Sequence, residues 1–247
     1  MAETAYRPYA PLMVLKPFGD DIWIVDGPEI RMDWLFTSIP FPTRMTIVRL
    51  PDDGLWVHSP TVNDAALMDA VAALGPVRFL IAPNSIHYWW VPDWKERFLE
   101  AEVFAVPGLA ETAKRPLPEH RVLRDAGPSE WSGAIDQVLV PGSVVTEADF
   151  LHRASRTLIL TDMIENFEPK RVKSRWLRMA MRLSGPLDPD GKMPIDLRLT
   201  FRRHKAEVRR AVRTMLDWRP ESIILAHGGC YAENGPAEFR RALRWAL

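Results

Sequence analysis

The chain has 247 residues, 47% of them hydrophobic, with 32 basic against 32 acidic side chains and a single cysteine. This length supports a substantial core, zero net charge gives no overall bias towards nucleic acid, and a lone Cys230 excludes an internal disulfide or a cysteine-cluster metal site. No apolar run approaches the ~20 residues that span a bilayer, and the start, MAETAYRPYAPL, lacks the apolar stretch of a signal peptide, so a cytoplasmic protein is expected.

Asp21 to Gly27, DIWIVDG, alternates apolar and polar residues and predicts a strand. Met45 to Pro60 contains two β-rich runs around Pro-Asp-Asp-Gly, the chemistry of a hairpin turn. TVNDAALMDAVAAL places Leu67, Val71 and Leu74 on one helical face, with Thr61 or Asn63 as N-cap and Gly75-Pro76 as the stop. VRFLIA predicts a buried strand, DWKERFLEA a short helix and EVFAVPG a strand with a turn. Leu109 to Trp131 reads as an irregular connection. AIDQVLVPG predicts a strand, and EADFLHRASRTLILTD a second hairpin whose last strand stops at Asp162. Two helices follow, one over Pro169 to Leu183 and one reaching Trp218, the second with apolar residues at Leu197, Phe201, Val208, Ala211 and Met215. SIILAHGG predicts a strand and AEFRRALRWAL a terminal helix. This order predicts an α/β fold with two mixed sheets and helices outside.

Charge is uneven along the chain. Lys170 to Arg213 holds fourteen Lys and Arg against four Asp and Glu, about +10, which leaves about −10 elsewhere. The expectation is one domain over 1–247 with a basic helical insertion at 165–218.

Three apolar strands end in polar residues able to do chemistry: His87, Asp162 and His227. In this order the strand ends resemble those of the metallo-β-lactamase superfamily. LIAPNSIHYWW stands where that superfamily carries Thr-His-x-His-x-Asp-His, VPGS at its Pro-Gly-His turn, TLILTD at its bridging Asp and IILAHGG at its last His. The resemblance runs from about Asp21 to Leu247 and implies an αββα sandwich. It also shows departures. Pro83, Ser85 and Ser143 stand where three His ligands belong, His87 falls near the motif's Asp, and Tyr88 near its final His. The Asn84-to-His87 pattern looks like an uncharacterised branch known only as a domain of unknown function.

What the resemblance implies is a degenerate site of two His and one carboxylate, His87, Asp162 and His227, as both metal ligands and catalytic residues. The expected function is a metal-dependent hydrolase with at most one metal, Zn²⁺ or Fe²⁺, acting on a small molecule. The alternative is a binding or scaffold protein that kept the fold and lost the metal. The basic helices are read as solvated faces, or as a cover over the cleft that attracts an anionic substrate. Nucleic acid is not expected, and peripheral membrane contact is not the favoured reading. Elsewhere Tyr88 and Trp89 are expected to fill the vacated ligand space, His58 to bond backbone at its turn, Glu147 and His152 to form exposed ion pairs, His204 to sit in the core, and Cys230 to be a small buried hydrophobe.

Overall fold

The alternation that begins at Asp21 becomes the longest hairpin of the protein. The structure is a computed structural model describing residues 5–34 and 37–247, and of 32–34 and 37–40 the backbone alone. In it β1 (Lys16–Gly19) pairs with β2 (Ile22–Trp34), which pairs antiparallel with β3 (Thr37–Arg49). The predicted Pro-Asp-Asp-Gly turn then leads into β4 (Leu55–His58), antiparallel to β3. Asp53 takes the positive φ that this turn needs.

Helix α1 (Ala65–Ala72) buries Leu67, Met68 and Val71. Its cap is neither Thr61 nor Asn63. The Asp64 side chain accepts from the Leu67 amide, because Asp64 is the last extended residue before the helix. Thr61 is engaged elsewhere, its carbonyl accepting from Trp94 Nε1. Next come β5 (Val77–Ala82), α2 (Val91–Arg97) and β6 (Glu102–Ala105). The connection from Leu109 to Trp131 is less irregular than expected. It holds α3 (Leu109–Thr112), the two-residue β7 (Arg121–Val122) and a 3-10 turn over Ser129–Trp131 that buries Trp131. These strands make a seven-stranded mixed sheet in chain order, antiparallel up to β4 and parallel beyond it.

The second half builds a four-stranded sheet from β8 (Ile135–Val140), β9 (Glu147–His152) and β10 (Thr157–Leu160). Helices α4 (Arg175–Ser184), α5 (Ile195–Thr200) and α6 (Lys205–Asp217) follow, then β11 (Ser222–Leu225) and α7 (Gly235–Ala242). The sheet order is β11-β10-β9-β8, with β10 and β11 parallel. The single helix predicted up to Trp218 is split into α5 and α6, with a 3-10 turn at Arg202–His204 between them. Leu197, Phe201 and Val208 all join one apolar cluster across the break, so the periodicity continues where the helix does not.

Alternation along β10 and β11 sets the layers. Ile159 and Ile224 pack with Trp56, Phe79 and Phe150 between the sheets. Leu158, Leu160, Ile223 and Leu225 face outward and are covered by Val208, Val212 and Met215 of α6 and Phe239 of α7. On the far side, Leu67 and Val71 of α1 and Trp94 of α2 cover the first sheet. The result is the expected αββα sandwich. Among the described residues no helix is long and apolar enough to cross a membrane.

Candidate metal centre

The strands β4, β5, β10 and β11 all end on one edge of the sandwich. After β5 the chain turns on Asn84, which is fully buried. Its Oδ1 accepts from the amides of Ile86 and His87, both at 2.8 Å, a turn that a short amide side chain closes on its own backbone. Its Nδ2 donates across to the β10 end, to Asp162 Oδ2 at 2.7 Å and Thr161 Oγ1 at 3.0 Å. One side chain therefore shapes the His87 turn and fixes the Asp162 carboxylate. Glu147, buried at the start of β9, accepts from the amides of Thr161, Asp162 and Met163 and holds the β10 end from the other side.

His227 follows β11 on a turn that doubles back, with Tyr231 pairing to Ile223. Gly228 there has φ +90°, and a Cβ would fall 2.0 Å from the Asn166 carbonyl oxygen, so only glycine fits. Buried Arg44 braces the same turn. Its Nη1 donates to the carbonyls of Leu225 and Gly228, and its Nε and Nη2 donate to Asp26, its partner across the β2–β3 ladder.

This scaffold brings His87, Asp162 and His227 together. His87 Nε2 lies 3.1 Å from His227 Nε2 and 3.5 Å from Asp162 Oδ1, and His227 Nε2 lies 3.4 Å from the same oxygen. Each group is held by its far atom. His227 Nδ1 donates to the Pro42 carbonyl at 2.8 Å, which turns Nε2 towards the site. His87 Nδ1 is 2.8 Å from Ser59 Oγ, and Asp162 Oδ2 takes the Asn84 amide. Burial opposes ionisation of Asp162, but the two imidazoles outweigh it and hold the carboxyl well below the usual range. Burial likewise opposes a charge on His87, and Asp162 more than restores it.

The donor set fits a metal ion. Ligand bonds of ~2.0–2.1 Å at tetrahedral angles put donors ~3.3–3.4 Å apart, and the three observed separations are 3.1, 3.4 and 3.5 Å. No fourth His, Cys, Asp or Glu joins this triangle among the described residues, so a fourth position would face the cavity.

That cavity is about 390 Å³, a volume for a small ligand. Its walls are mostly apolar, among them Ile30, Phe41, Trp90, Leu177 and Met181. Among the described residues its carboxyls are Asp162, Glu165 and Asp196, and neither Lys nor Arg lines it. Helices α4 and α5 of the basic segment line this cavity through apolar side chains, Ser184 and Asp196, and the arginines of α4 are not among its described lining residues. Sequence reasoning also missed Glu165, buried in the cavity wall. Burial, then the charges of Asp162, Asp196 and Glu147, raise its pKa well above the ordinary value.

Other expected residues fall elsewhere. Tyr88 is buried in the core, its hydroxyl accepting from the Arg115 amide, and does not line the cavity. Trp89 lines the cavity but is exposed, so the space is left open rather than filled. Ser143 is exposed, its amide donating to the Thr200 carbonyl. His58 is buried with Nε2 unpartnered, stacked on Trp56 instead of bonding backbone. Glu147 and His152 are buried, not exposed ion pairs, and His152 bonds Ser155. His204 is half-buried in the turn before α6 rather than in the core. Cys230 Sγ accepts from Arg44 and stands outside the cavity lining.

Solved structures share this fold at low identity. The metallo-β-lactamase from Pontibacter korlensis superposes with a TM-score of 0.60 at 10% identity, over 94% of this chain and 98% of its own. That from Hirschia baltica gives 0.60 at 15%, over 94% and 97%. FIM-1 from Pseudomonas aeruginosa, in its mono-zinc form, gives 0.56 at 13%, over 94% of each. Nothing among curated proteins matches the sequence. The sequence pattern of a domain of unknown function, DUF4336, matches residues 20–184, two thirds of the chain. The chain therefore belongs to the DUF4336 family, a domain of unknown function built on the metallo-β-lactamase fold.

Proposed function

We propose that the protein is a hydrolase that binds one divalent metal through His87 Nε2, His227 Nε2 and Asp162 Oδ1, and acts on a small, largely apolar substrate. The observation that carries this reading is the triangle of donor atoms at 3.1–3.5 Å, each held from behind by Ser59, Pro42 or Asn84. When bound, a metal supplies Lewis acidity and an activated water at neutral pH. The chain supplies the rest. Apolar walls orient the substrate and exclude bulk water, which strengthens every charge in the site. Glu165, whose pKa burial and the neighbouring carboxylates raise well above the ordinary value, lines the cavity and is the candidate general acid for a leaving group. With Pro83, Ser85 and Ser143 in place of three imidazoles, a second metal has no ligand set, so the centre is mononuclear.

The contact between the two Nε2 atoms at 3.1 Å favours a second reading, a metal-free binding protein in which one shared proton satisfies both rings. Elemental analysis of protein purified without chelator or affinity-tag metal separates the two. About one metal per chain, lost in His227→Ala, is the expected result. Absence of metal in the wild type would leave the binding protein as the answer.

A further inference from the structure

Helix α4 buries none of its residues. At helical spacing its apolar side chains form one arc and its arginines the other. Leu177, Ala180, Met181 and Ser184 turn inward and line the cavity. Trp176, Met179 and Leu183 continue the same arc into solvent, with 86%, 55% and 79% of their surface exposed. Arg175, Arg178 and Arg182 fill the opposite arc, and the first and last of these are exposed.

The apolar exposure extends around the cavity mouth. Trp89 and Ile195 both line the cavity and are exposed, and Leu199 lies one helical turn beyond Ile195. These six are more than half of the exposed large apolar side chains among the described residues, and the remainder are scattered over separate elements. Such a concentration at one opening marks an interaction face rather than ordinary surface.

Charge selects the occupant. The segment that carries this rim has an excess of about +10, and the exposed Arg202 and Arg203 follow directly after α5. Among the described residues that line the cavity, the exposed acid is Asp196. A second copy of the same face would set cations against cations. A surface that is anionic and also admits apolar side chains is a bilayer containing anionic lipid. We infer that the rim of the cavity docks on an anionic bilayer. Trp176, Met179 and Leu183 enter the headgroup–acyl boundary, the arginines lie at the phosphates, and the cavity opens towards the lipid. This inference does not depend on the metal.

The test is flotation of the full chain with vesicles of phosphatidylcholine, alone or with about a third phosphatidylglycerol. Binding is expected with phosphatidylglycerol, weakened by salt, and reduced about tenfold or more in Trp176→Ser with Leu183→Ser and in Arg175→Glu with Arg182→Glu. These side chains are exposed, so circular dichroism and melting temperature should match the wild type. Three results would overturn the inference. They are no binding to anionic vesicles at low salt, equal binding to phosphatidylcholine alone, or a dimer in sedimentation velocity that the Trp176 and Leu183 changes abolish.

Discussion

Asn84 ties two strand ends together, and its loss should be felt at both. Asn84→Ala would strip two part-buried amides of their acceptor and free the Asp162 carboxylate. A cost of about 2–3 kcal/mol follows from unsatisfied part-buried donors, with metal affinity lower by roughly ten- to hundredfold. Asn84→Asp keeps the turn acceptor but sets a carboxylate against Asp162 and Glu147, so it should restore stability poorly and metal binding least. Urea denaturation with Zn²⁺ titration would show this, and an unchanged metal affinity in Asn84→Ala would remove Asn84 from the site. His58 makes a separate case. Burial, and then the charge of His87, hold its pKa down to about 3 against 6.5 when free. Between about 6.5 and 3 the unfolded chain binds this proton and the folded chain does not. Stability therefore falls as the pH drops through that window, by about 1.4 kcal/mol per pH unit from this group. His58→Phe, which keeps the stack on Trp56, should flatten that slope by about one proton in denaturation series from pH 7 to pH 4.

The elements behave as differently as their burial suggests. β10 and β11 are buried along their whole length, whereas α4 buries no residue and is held by one side of its apolar arc. Amide hydrogen exchange should therefore be fastest in α4 among the longer helices and slowest in the central strands. Protection of α4 equal to that of α6 would contradict this. The turn after β11 is the opposite case, with its backbone fully committed. Gly228→Ala forces a Cβ onto the Asn166 carbonyl in a left-handed backbone, at a cost of roughly 2 kcal/mol or more. Because His227 precedes that glycine directly, the variant should lose metal content along with stability. Full retention of metal would show that the turn relaxes without moving His227.

At the scale of the molecule, the sandwich does not depend on the site. Its two main apolar clusters lie between the sheets and beneath α6 and α7, so the chelated protein should remain folded. Metal should add stability by mass action, about 2.7 kcal/mol at a hundredfold excess over Kd. Calorimetric titration of the chelated protein should show one tight equivalent, and β-lactam hydrolysis should be absent. Two tight equivalents would overturn the mononuclear assignment.

The sequence by itself determined the layered α/β architecture and the strand-end positions of His87, Asp162 and His227. Alternation and turn chemistry are local, and they survive in DIWIVDG, VRFLIA and TLILTD without reference to the rest of the chain. Their order was enough to suggest two mixed sheets with helices outside, and the resemblance carried by the strand ends implied the sandwich. Only the tertiary structure decided what surrounds those ends. Asn84 reads locally as a turn residue, yet its second role is a bond to Asp162, 78 residues away. Glu147 and His152 look like surface polar residues in a hairpin, but β9 lies inside the second sheet and buries both. Arg44 pairs with Asp26 across a ladder, and only folding brings it to the carbonyls of the His227 turn. The basic charge of α4 was visible in composition, but which side faces the cavity depends on how the helix is docked. These are long-range pairings. Local propensity and periodicity do not encode them, because the partners meet only when the two sheets pack.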